Sequence, residues 1–245
     1  MNRKIQNPGK PFLFKQFQIF QDSCAMKVGT DGVLLGAWAN TDQVKHALDI
    51  GTGTGIIAIM LAQRNTGIYV DGVEVEEKSS IQAKENMVAS PFRERLEVYH
   101  TDIQSFAAIT NNQYDLIVSN PPYFSGGTLS SALEKTTVRH TVKLSHDELI
   151  IAAKRLLRPK GKFCVILPFT EGLRLQELSE KLGLYCTKKT EVKSKREKTA
   201  ERLLLEFQLE KQVMQVDELT ILANVGRHDY TPEYVALVKE FYTIL

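Results

Sequence analysis

The sequence predicts an α/β fold with a mainly parallel sheet of seven strands, helices on both faces and one antiparallel edge strand. Apolar runs of strand length alternate with helical stretches along most of the chain. A glycine-rich turn follows the first of these runs. The last two runs have no long helix between them, which predicts a hairpin and therefore an antiparallel strand at one edge.

Each element is predicted from its own pattern. The first strand is the apolar run at 46–50, and Ile57, Met60 and Leu61 recur at helical spacing just after it. A helix before the sheet covers 33–38, and later helices cover 79–89 and 145–157. The remaining strands are predicted at 68–74, 96–100, 114–119, 162–167, 185–192 and 203–209.

Length and composition set the broad class. A chain of 245 residues with 43% hydrophobic content can build one large core, so we expect a single domain over 1–245. Residues 1–45 form an N-terminal extension that contributes to the site. The polar start and the lack of an eighteen-residue apolar run predict a cytoplasmic, soluble protein, with a monomer as the default. The three cysteines have no metal-ligand spacing, so we expect no metal.

A glycine-rich loop, residues 49–55, follows the first predicted strand. Gly51, Gly53 and Gly55 allow a tight turn and close approach of the backbone to a ligand. The spacing is GxGxG, with Ile56 where a dinucleotide fingerprint has its third glycine. This favours S-adenosylmethionine over NAD, and a purely structural turn is the alternative.

Acidic residues after the first three strands complete the predicted cofactor site. Glu74 is placed to accept both ribose hydroxyls, although the next residues, Val75, Glu76 and Glu77, leave the assignment open by two positions. An exposed acid at the start of a helix is the alternative for Glu74. Asp102 is placed to accept from the adenine amino group, with Ile103 packing on the ring, or else to cap a helix. We expect Asp49 to orient the loop or to meet the cofactor's amino group.

The segment Lys27–Gly32 precedes the sheet and leads into an apolar helix. Thr30 and Asp31 either cap that helix or fold over the methionine end of the cofactor. Lys27, in the same segment, is also predicted to contact the cofactor.

The sequence Asn120-Pro121-Pro122-Tyr123 follows the fourth strand and predicts the reacting group. An amide or amino nitrogen on a planar group is a poor nucleophile because its lone pair is delocalised. Asn120 offers a side-chain carbonyl that can hold such a nitrogen, and the stiff Pro121-Pro122 step can direct a backbone carbonyl. Tyr123 offers a flat face for stacking. The motif predicts methyl transfer to nitrogen. The Ser- and Gly-rich stretch that follows, residues 125–131, is either a loop that closes on substrate or a plain connection.

Several of these stretches together resemble the bacterial tRNA1(Val) (adenine-37-N6)-methyltransferases. They are residues 14–17, 27–38, 49–55 and 118–124, Arg139-His140, Leu167-Pro168 and the closing segment that ends Phe241-Tyr242. The resemblance covers nearly the whole chain, and 27–38 is its most specific part. It implies a Rossmann-like class I methyltransferase that modifies an adenine next to the anticodon of a valine tRNA. Where many relatives carry Ile or Leu and then Asp after the ribose acid, this chain has Val75-Glu76, so a role for Glu76 is left open.

For such a substrate, the adenine leaves its stack and lies over the carboxyl ends of the strands. Tyr123, helped by Phe124, stacks on it, while Asn120 and the Pro121 carbonyl accept its amino hydrogens. The nitrogen then attacks the sulfonium methyl in line, with orientation supplying most of the acceleration. Candidate RNA contacts are basic or flank the site. They are Lys15, Phe124, Arg139, His140, Lys193, Lys195, Arg196 and Lys198.

Three other functions stay open from the residues. A protein glutamine methyltransferase poses the same problem at an amide nitrogen, although such enzymes usually carry an N-terminal helical domain, and fewer than fifty residues precede Asp49. A ribosomal-RNA adenine or guanine N-methyltransferase is compatible with two basic clusters, one in the first 21 residues and one between Lys188 and Arg202. A cofactor-binding module without catalysis is the third, and the complete Asn120–Tyr123 motif argues against it.

Overall fold

A computed structural model of the chain describes residues 9–24, 26–122, 144–223 and 229–243. The strands of the main sheet are β3 His46–Ile50, β4 Tyr69–Glu74, β5 Leu96–His100, β6 Tyr114–Ser119, β7 Leu157–Pro168, β8 Tyr185–Lys195, β9 Arg202–Gln208 and β10 Gln215–Leu222. A short hairpin, β1 Phe12–Leu13 and β2 Gln18–Ile19, precedes them. The helices are α1 Thr30–Trp38, α2 Ile56–Arg64, α3 Glu77–Ala89, α4 Ile103–Ile109, α5 His146–Leu156, α6 Phe169–Lys181 and α7 Pro232–Val238.

The main sheet is mixed and mostly parallel, with the strand order β10-β8-β9-β7-β6-β3-β4-β5. Strand β9 runs antiparallel to both β7 and β8. The other neighbours are parallel, so the carboxyl ends of β3, β6, β7, β8 and β10 share one edge of the sheet. The predicted class, a Rossmann-like α/β fold, is confirmed.

Two details of the predicted sheet are wrong. The sheet has eight strands, because β10, Gln215–Leu222, pairs with β8 beyond the seven that were predicted. The antiparallel strand is internal, since α6 carries β8 one position away from β7 and β9 folds back into the gap. The hairpin between β8 and β9 is confirmed.

Helices cover both faces of the sheet, as predicted. Alternate strand residues point to opposite sides, so that Ala47 and Val118 lie in one core and Leu48 and Ile117 lie in the other. The first core contains α1, α2 and α7, and the second contains α4, α5 and α6.

Both described ends of the chain join the first core. Phe14 of the N-terminal segment stacks near Phe17 and Tyr242, and Phe14 forms a β-bridge with Tyr242. Phe241 is 2% exposed in the same core. The N-terminal extension therefore packs against the end of the chain on the α1 and α2 side of the sheet.

Candidate active site

The glycine loop between β3 and α2 has the left-handed backbone conformation that its glycines permit. Gly51, Gly53 and Gly55 have φ of +72°, +57° and +81°, a region in which side chains other than glycine are strained. A Cβ on Gly51 would meet nothing within 4 Å, so the loop borders open space. Gly55 differs, because a Cβ added there would meet Met87 Cε at 3.3 Å. Gly55 therefore packs against α3.

Open space beside this loop forms a cleft of about 580 Å³, a size typical of small-molecule sites. The cleft lies at the carboxyl edge of the sheet. It brings together six residues of the predicted cofactor and catalytic sets, namely Lys27, Thr30, Asp31, Gly51, Gly53 and Asn120.

Asp49, at the end of β3, is fully buried below the loop. Its Oδ2 accepts a hydrogen bond of 2.7 Å from the Thr52 hydroxyl, which ties the carboxyl to the loop. Within the described residues, the buried Oδ1 makes no hydrogen bond of normal geometry. Burial raises the pKa of Asp49 to about 7. The Ala58 N–H in the first turn of α2 acts against this rise, so the carboxyl lies between the loop and the start of that helix.

Glu74 lies across from the loop, at the end of β4. Its Oε2 accepts from the Gly53 N–H at 2.9 Å, and its Oε1 accepts from the Glu76 N–H at 3.0 Å. Glu76 instead caps α3, because its Oε2 accepts from the Ser79 N–H at 2.6 Å. Of the acids at this strand end, the one that contacts the glycine loop is therefore Glu74.

Asp102 is the N-cap of α4. Its two oxygens accept from the Ser105 N–H at 2.7 Å and the Ser105 hydroxyl at 2.8 Å, and the backbone N–H lowers the pKa of the carboxyl. Ile103 is 3% exposed and packs in the second core. The capping alternative is observed for Asp102, and contact of either residue with an adenine ring stays a prediction.

Thr30 and Asp31 do not cap α1, because the N-cap is Gly29, which makes no side-chain cap. Asp31 forms an ion pair instead, with its Oδ2 3.0 Å from Nε of Arg202 on β9. The carboxylate and the guanidinium are 22% and 30% exposed, and both residues line the cleft. The capping alternative is therefore wrong for this segment.

Asn120 follows β6 directly and enters the cleft beside the glycine loop. The hydroxyl of Ser119 donates to the Ile50 carbonyl at 2.9 Å, which holds the ends of β6 and β3 together. The side-chain oxygen of Asn120 is buried and accepts no hydrogen bond from the described part of the chain. Pro121 is buried and Pro122 is exposed. Tyr123, Phe124, Arg139 and His140 lie outside the described residues, as does the stretch 125–131.

The basic residues proposed for RNA are in different surroundings. Lys15 donates from Nζ to the Lys239 carbonyl at 2.6 Å, beside the end of α7. Lys193 is ion-paired with Glu218 at 2.6 Å. Lys195, Arg196 and Lys198 lie where β8 turns back into β9.

The chain is similar to known methyltransferases over most of its length. Residues 26–193 match the model of the methyltransferase small domain. A tRNA1(Val) (adenine(37)-N6)-methyltransferase of Trichodesmium erythraeum is 46% identical over 236 residues, covering 96% of this chain and 98% of that protein. Proteins of the same name from Erwinia tasmaniensis and Parabacteroides distasonis are 42% and 39% identical. Each covers 94% of this chain, and the alignments span 94% and 97% of those two proteins.

The chain belongs to the tRNA1(Val) (adenine(37)-N6)-methyltransferase family. Among solved structures, a protein of Agrobacterium tumefaciens described as a predicted O-methyltransferase has a TM-score of 0.66 at 18% identity, covering 86% of this chain and 96% of its own. A glycopeptide N-methyltransferase complexed with S-adenosyl-L-methionine has a TM-score of 0.55 at 12% identity, covering 75% of this chain and all of its own. At these identities, both show the fold shared by the family.

In this member of the methyltransferase family, the β8–β9 hairpin supplies cleft residues that sequence reasoning missed. Ser194, Glu201 and Arg202 line the cleft, together with Val192. The sequence identifies their neighbourhood only as a cluster of basic residues. The ion pair between Arg202 of β9 and Asp31 of α1 cannot be predicted from a local pattern, because the two residues are far apart in the chain. The cleft therefore draws on residues from positions 26 to 221.

Cys24 and Cys164 are buried, Cys186 is half-buried, and all three are free thiols. Among the described residues, no three His, Cys, Asp or Glu side chains come close enough to hold a metal ion. In the same part of the chain, no helix has both the length and the apolar character that a membrane crossing needs.

Proposed function

We propose that this chain transfers a methyl group from S-adenosylmethionine to N6 of an adenine in tRNA. Its relatives are named for adenine 37 of tRNA1(Val), and we take that nucleotide as the target here. The observation that carries the proposal is the buried Oδ1 of Asn120. This acceptor has no partner within the described residues and lies in the same cleft as the glycine loop.

The residues of the cleft fit S-adenosylmethionine. Positive φ at Gly51 and Gly53 leaves backbone open to a ligand, and the buried carboxyl of Asp49 below the loop is proposed to meet the cofactor's ammonium group. Glu74 is held beside the loop, because its carboxylate accepts charge-assisted hydrogen bonds from two backbone N–H groups. When bound, S-adenosylmethionine supplies an electrophilic methyl group. The residues proposed to hold it are Lys27, Thr30, Asp31, Asp49, Gly51, Gly53, Gly55, Glu74, Asp102, Ile103 and Asn120.

The residues around Asn120 orient the acceptor. An exocyclic amino group has two hydrogens, and Asn120 Oδ1 and the Pro121 carbonyl are proposed to accept one each. The bonds turn the nitrogen lone pair towards the methyl group and supply the proximity that such a weak nucleophile needs. Pro121 has no N–H, so no donor competes at that point of the chain. Tyr123 is proposed to stack on the base, and Pro122 to stiffen the loop.

The wider setting of the reaction is also a proposal. We take residues 1–245 as one methyltransferase domain, with 1–45 as an extension that contributes to the site, and this is supported by Thr30 and Asp31 in the cleft wall. We place the enzyme in the cytoplasm, where tRNA is modified, and propose that it acts as a monomer. Lys15, Phe124, Arg139, His140, Lys193, Lys195, Arg196 and Lys198 remain the proposed RNA contacts, and of these Lys193 is the weaker candidate because it is ion-paired with Glu218.

The test is methyl transfer from labelled S-adenosylmethionine to total tRNA, with the product digested to nucleosides and identified by mass. N6-methyladenosine is expected with the wild-type chain and not with Asn120→Ala. Calorimetry should show only a small loss of cofactor binding for Asn120→Ala, because Asn120 is one of eleven residues proposed to hold the cofactor and Gly51, Gly53 and Glu74 are intact. Asn112→Ala is the matched control, an exposed asparagine remote from the cleft, and it should retain activity.

Three outcomes contradict the proposal in different ways. Equal loss of cofactor binding and activity in Asn120→Ala removes the assigned role of Asn120. Label in protein, with none in RNA, indicates glutamine methylation. Label in RNA at a base other than adenine indicates a different acceptor. Sequencing of the labelled tRNA then tests whether position 37 is the site.

A further inference from the structure

The β8–β9 hairpin carries two kinds of cation. On strand β8, the three lysines that precede its last residue each have an acidic partner: Lys188 lies 3.5 Å from Asp217, Lys189 lies 3.1 Å from Glu191, and Lys193 lies 2.6 Å from Glu218. Their charges are largely balanced within the protein, and the basic cluster in the sequence is therefore not one uniform patch.

The turn of the hairpin is different. Lys195, Arg196 and Lys198, here called the cationic tip, form no ion pair within the part of the chain that the structure describes. Arg196 and Lys198 are exposed, and Lys195 is half-buried. The one acid among them, Glu197, is also exposed. The net charge of residues 195–198 is therefore +2.

The tip lies at the mouth of the cleft. Strand β8 runs parallel to β6 and β7, because β9 is antiparallel to both β7 and β8. The end of β8 therefore reaches the same edge of the sheet as the glycine loop and Asn120. Val192 and Ser194 before the tip, and Glu201 and Arg202 after it, line the cleft together with Asn120.

Hydrogen bonds hold the tip in place. The Glu201 N–H donates to the Val192 carbonyl at 2.9 Å, and the Ser194 hydroxyl donates to the Glu201 carboxylate at 2.7 Å. Within the turn, the Lys198 N–H donates to the Lys195 carbonyl at 3.1 Å. Three long cationic side chains are thus carried by a backbone that is fixed relative to the acceptor site.

We propose that the cationic tip binds the backbone phosphates on either side of the nucleotide that enters the cleft. This inference rests on the proposed function. A base that leaves its stack remains covalently attached between two phosphates, which must then approach the mouth of the site. Cations without acidic partners neutralise such phosphates and release counterions, whereas Lys188, Lys189 and Lys193 would first have to give up their carboxylates.

The test measures binding of total tRNA by fluorescence anisotropy over a range of salt concentrations, using the full chain. The tip variant is Lys195→Gln with Arg196→Gln and Lys198→Gln. We expect it to bind tRNA roughly tenfold more weakly at low salt, with a slope of log K against log salt that is shallower by about two to three. Its affinity for S-adenosylmethionine should be unchanged.

The control removes the same formal charge elsewhere, by Lys84→Gln with Lys181→Gln and Lys211→Gln. These lysines are 66–71% exposed and are paired with carboxylates on other surfaces. Equal losses in the tip and control variants would mean that only bulk charge matters, and would overturn the proposal. So would tip-variant binding that equals that of the wild type.

Measuring tRNA binding and methyl transfer side by side shows whether this inference or the proposed function is wrong. Tip-dependent tRNA binding without methylation contradicts the function and supports the tip as an RNA contact. Methylation of adenine with equal tip and control variants supports the function and contradicts the tip. Methylation of a protein substrate that the tip variant impairs as strongly as tRNA binding would assign the tip to an acidic peptide instead.

Discussion

Arg202, the first residue of β9, donates from Nε to Oδ2 of Asp31 in the first turn of α1 at 3.0 Å. The two residues are 171 positions apart, and both line the cleft. The ion pair joins the segment that precedes the sheet to the hairpin that follows it. It therefore helps to set the position of the cleft wall formed by Lys27, Thr30 and Asp31.

Removal of either partner should weaken both the fold and the cofactor site. For Asp31→Asn, Arg202→Gln and the double variant, we expect a coupling of about 0.5–1 kcal/mol in the free energy of unfolding, because the pair is only partly exposed. Urea denaturation measures the coupling, and calorimetry measures cofactor affinity, which should fall in each variant. The exposed pair Lys181 with Glu177 is the control, and its removal should not alter cofactor affinity. Additive unfolding energies in the Asp31 and Arg202 cycle would contradict the link.

Gly51→Ala should weaken cofactor binding in addition to straining the backbone. A residue with a side chain at a φ of +72° costs about 1–2 kcal/mol, and the new Cβ would occupy the open space beside the loop. Gly183→Ala is the matched control. Its φ is +76°, it follows α6 at the opposite edge of the sheet, and its Cβ would meet only the flexible end of Lys154. Both variants should lose similar stability, but only Gly51→Ala should lose affinity. Equal affinities in the two would exclude the loop as the cofactor cradle.

Glu74→Gln and Glu76→Ala should have separate effects. Glu74 contacts the glycine loop, so its neutralisation should lower cofactor affinity by roughly tenfold to a hundredfold, since a hydrogen bond to a charged group contributes about 1.5–3 kcal/mol. Glu76 caps α3, so its loss should cost about 1 kcal/mol of stability with little change in affinity. Calorimetry and urea denaturation distinguish the two. The reverse pattern would place the ribose contact at Glu76.

The buried carboxyl of Asp49 should make stability depend on pH. Its pKa in the folded chain is about 7, and in the unfolded chain it is near the usual value of about 4. Between these values the folded state holds the additional proton, so stability falls as the pH rises from about 4 to about 7 and is level above that. The loss is at most about 4 kcal/mol.

Asp49→Asn isolates this effect, because an amide does not titrate in that range. The difference in unfolding free energy between wild type and Asp49→Asn should fall from pH 4.5 to pH 7 and then stay constant. Urea denaturation at several pH values measures it. A difference that does not vary with pH would show that Asp49 is ionised throughout. If a cofactor ammonium meets Asp49, binding at pH 6 should also release a proton, which calorimetry in two buffers detects.

Much of the fold could be predicted from local patterns. Apolar strands such as His46–Ile50 and Tyr114–Ser119 are recognised because both their faces are buried in the two cores. Strand β10 was missed because it is an edge strand in which Leu219 alone among the described residues is buried. The amphipathic helix α6 is not among the elements predicted from the sequence. In the structure its Gly172 packs closely against Leu203.

The site divides in the same way. The glycine loop, Glu74 and Asn120 could be placed because each lies at the end of a parallel strand or directly after it, and such strand ends meet at one edge of the sheet. The capping roles of Glu76 and Asp102 depend on where each helix begins, and the sequence left both positions open. Which of the hairpin's cations are paired depends on partners such as Asp217 and Glu218 on β10, a strand that had not been predicted.

Local patterns in the chain are enough to predict the class of the fold, the glycine turn and the loop that follows β6, because each depends on neighbours within a few residues. The insertion of β9 between β7 and β8, through which Arg202 reaches Asp31, is visible in the three-dimensional packing alone. The same packing neutralises Lys193 and leaves the cationic tip without acidic partners among the described residues. Pairings between distant residues arise from the packing of whole elements, and such packing depends on long-range contacts that no local spacing records.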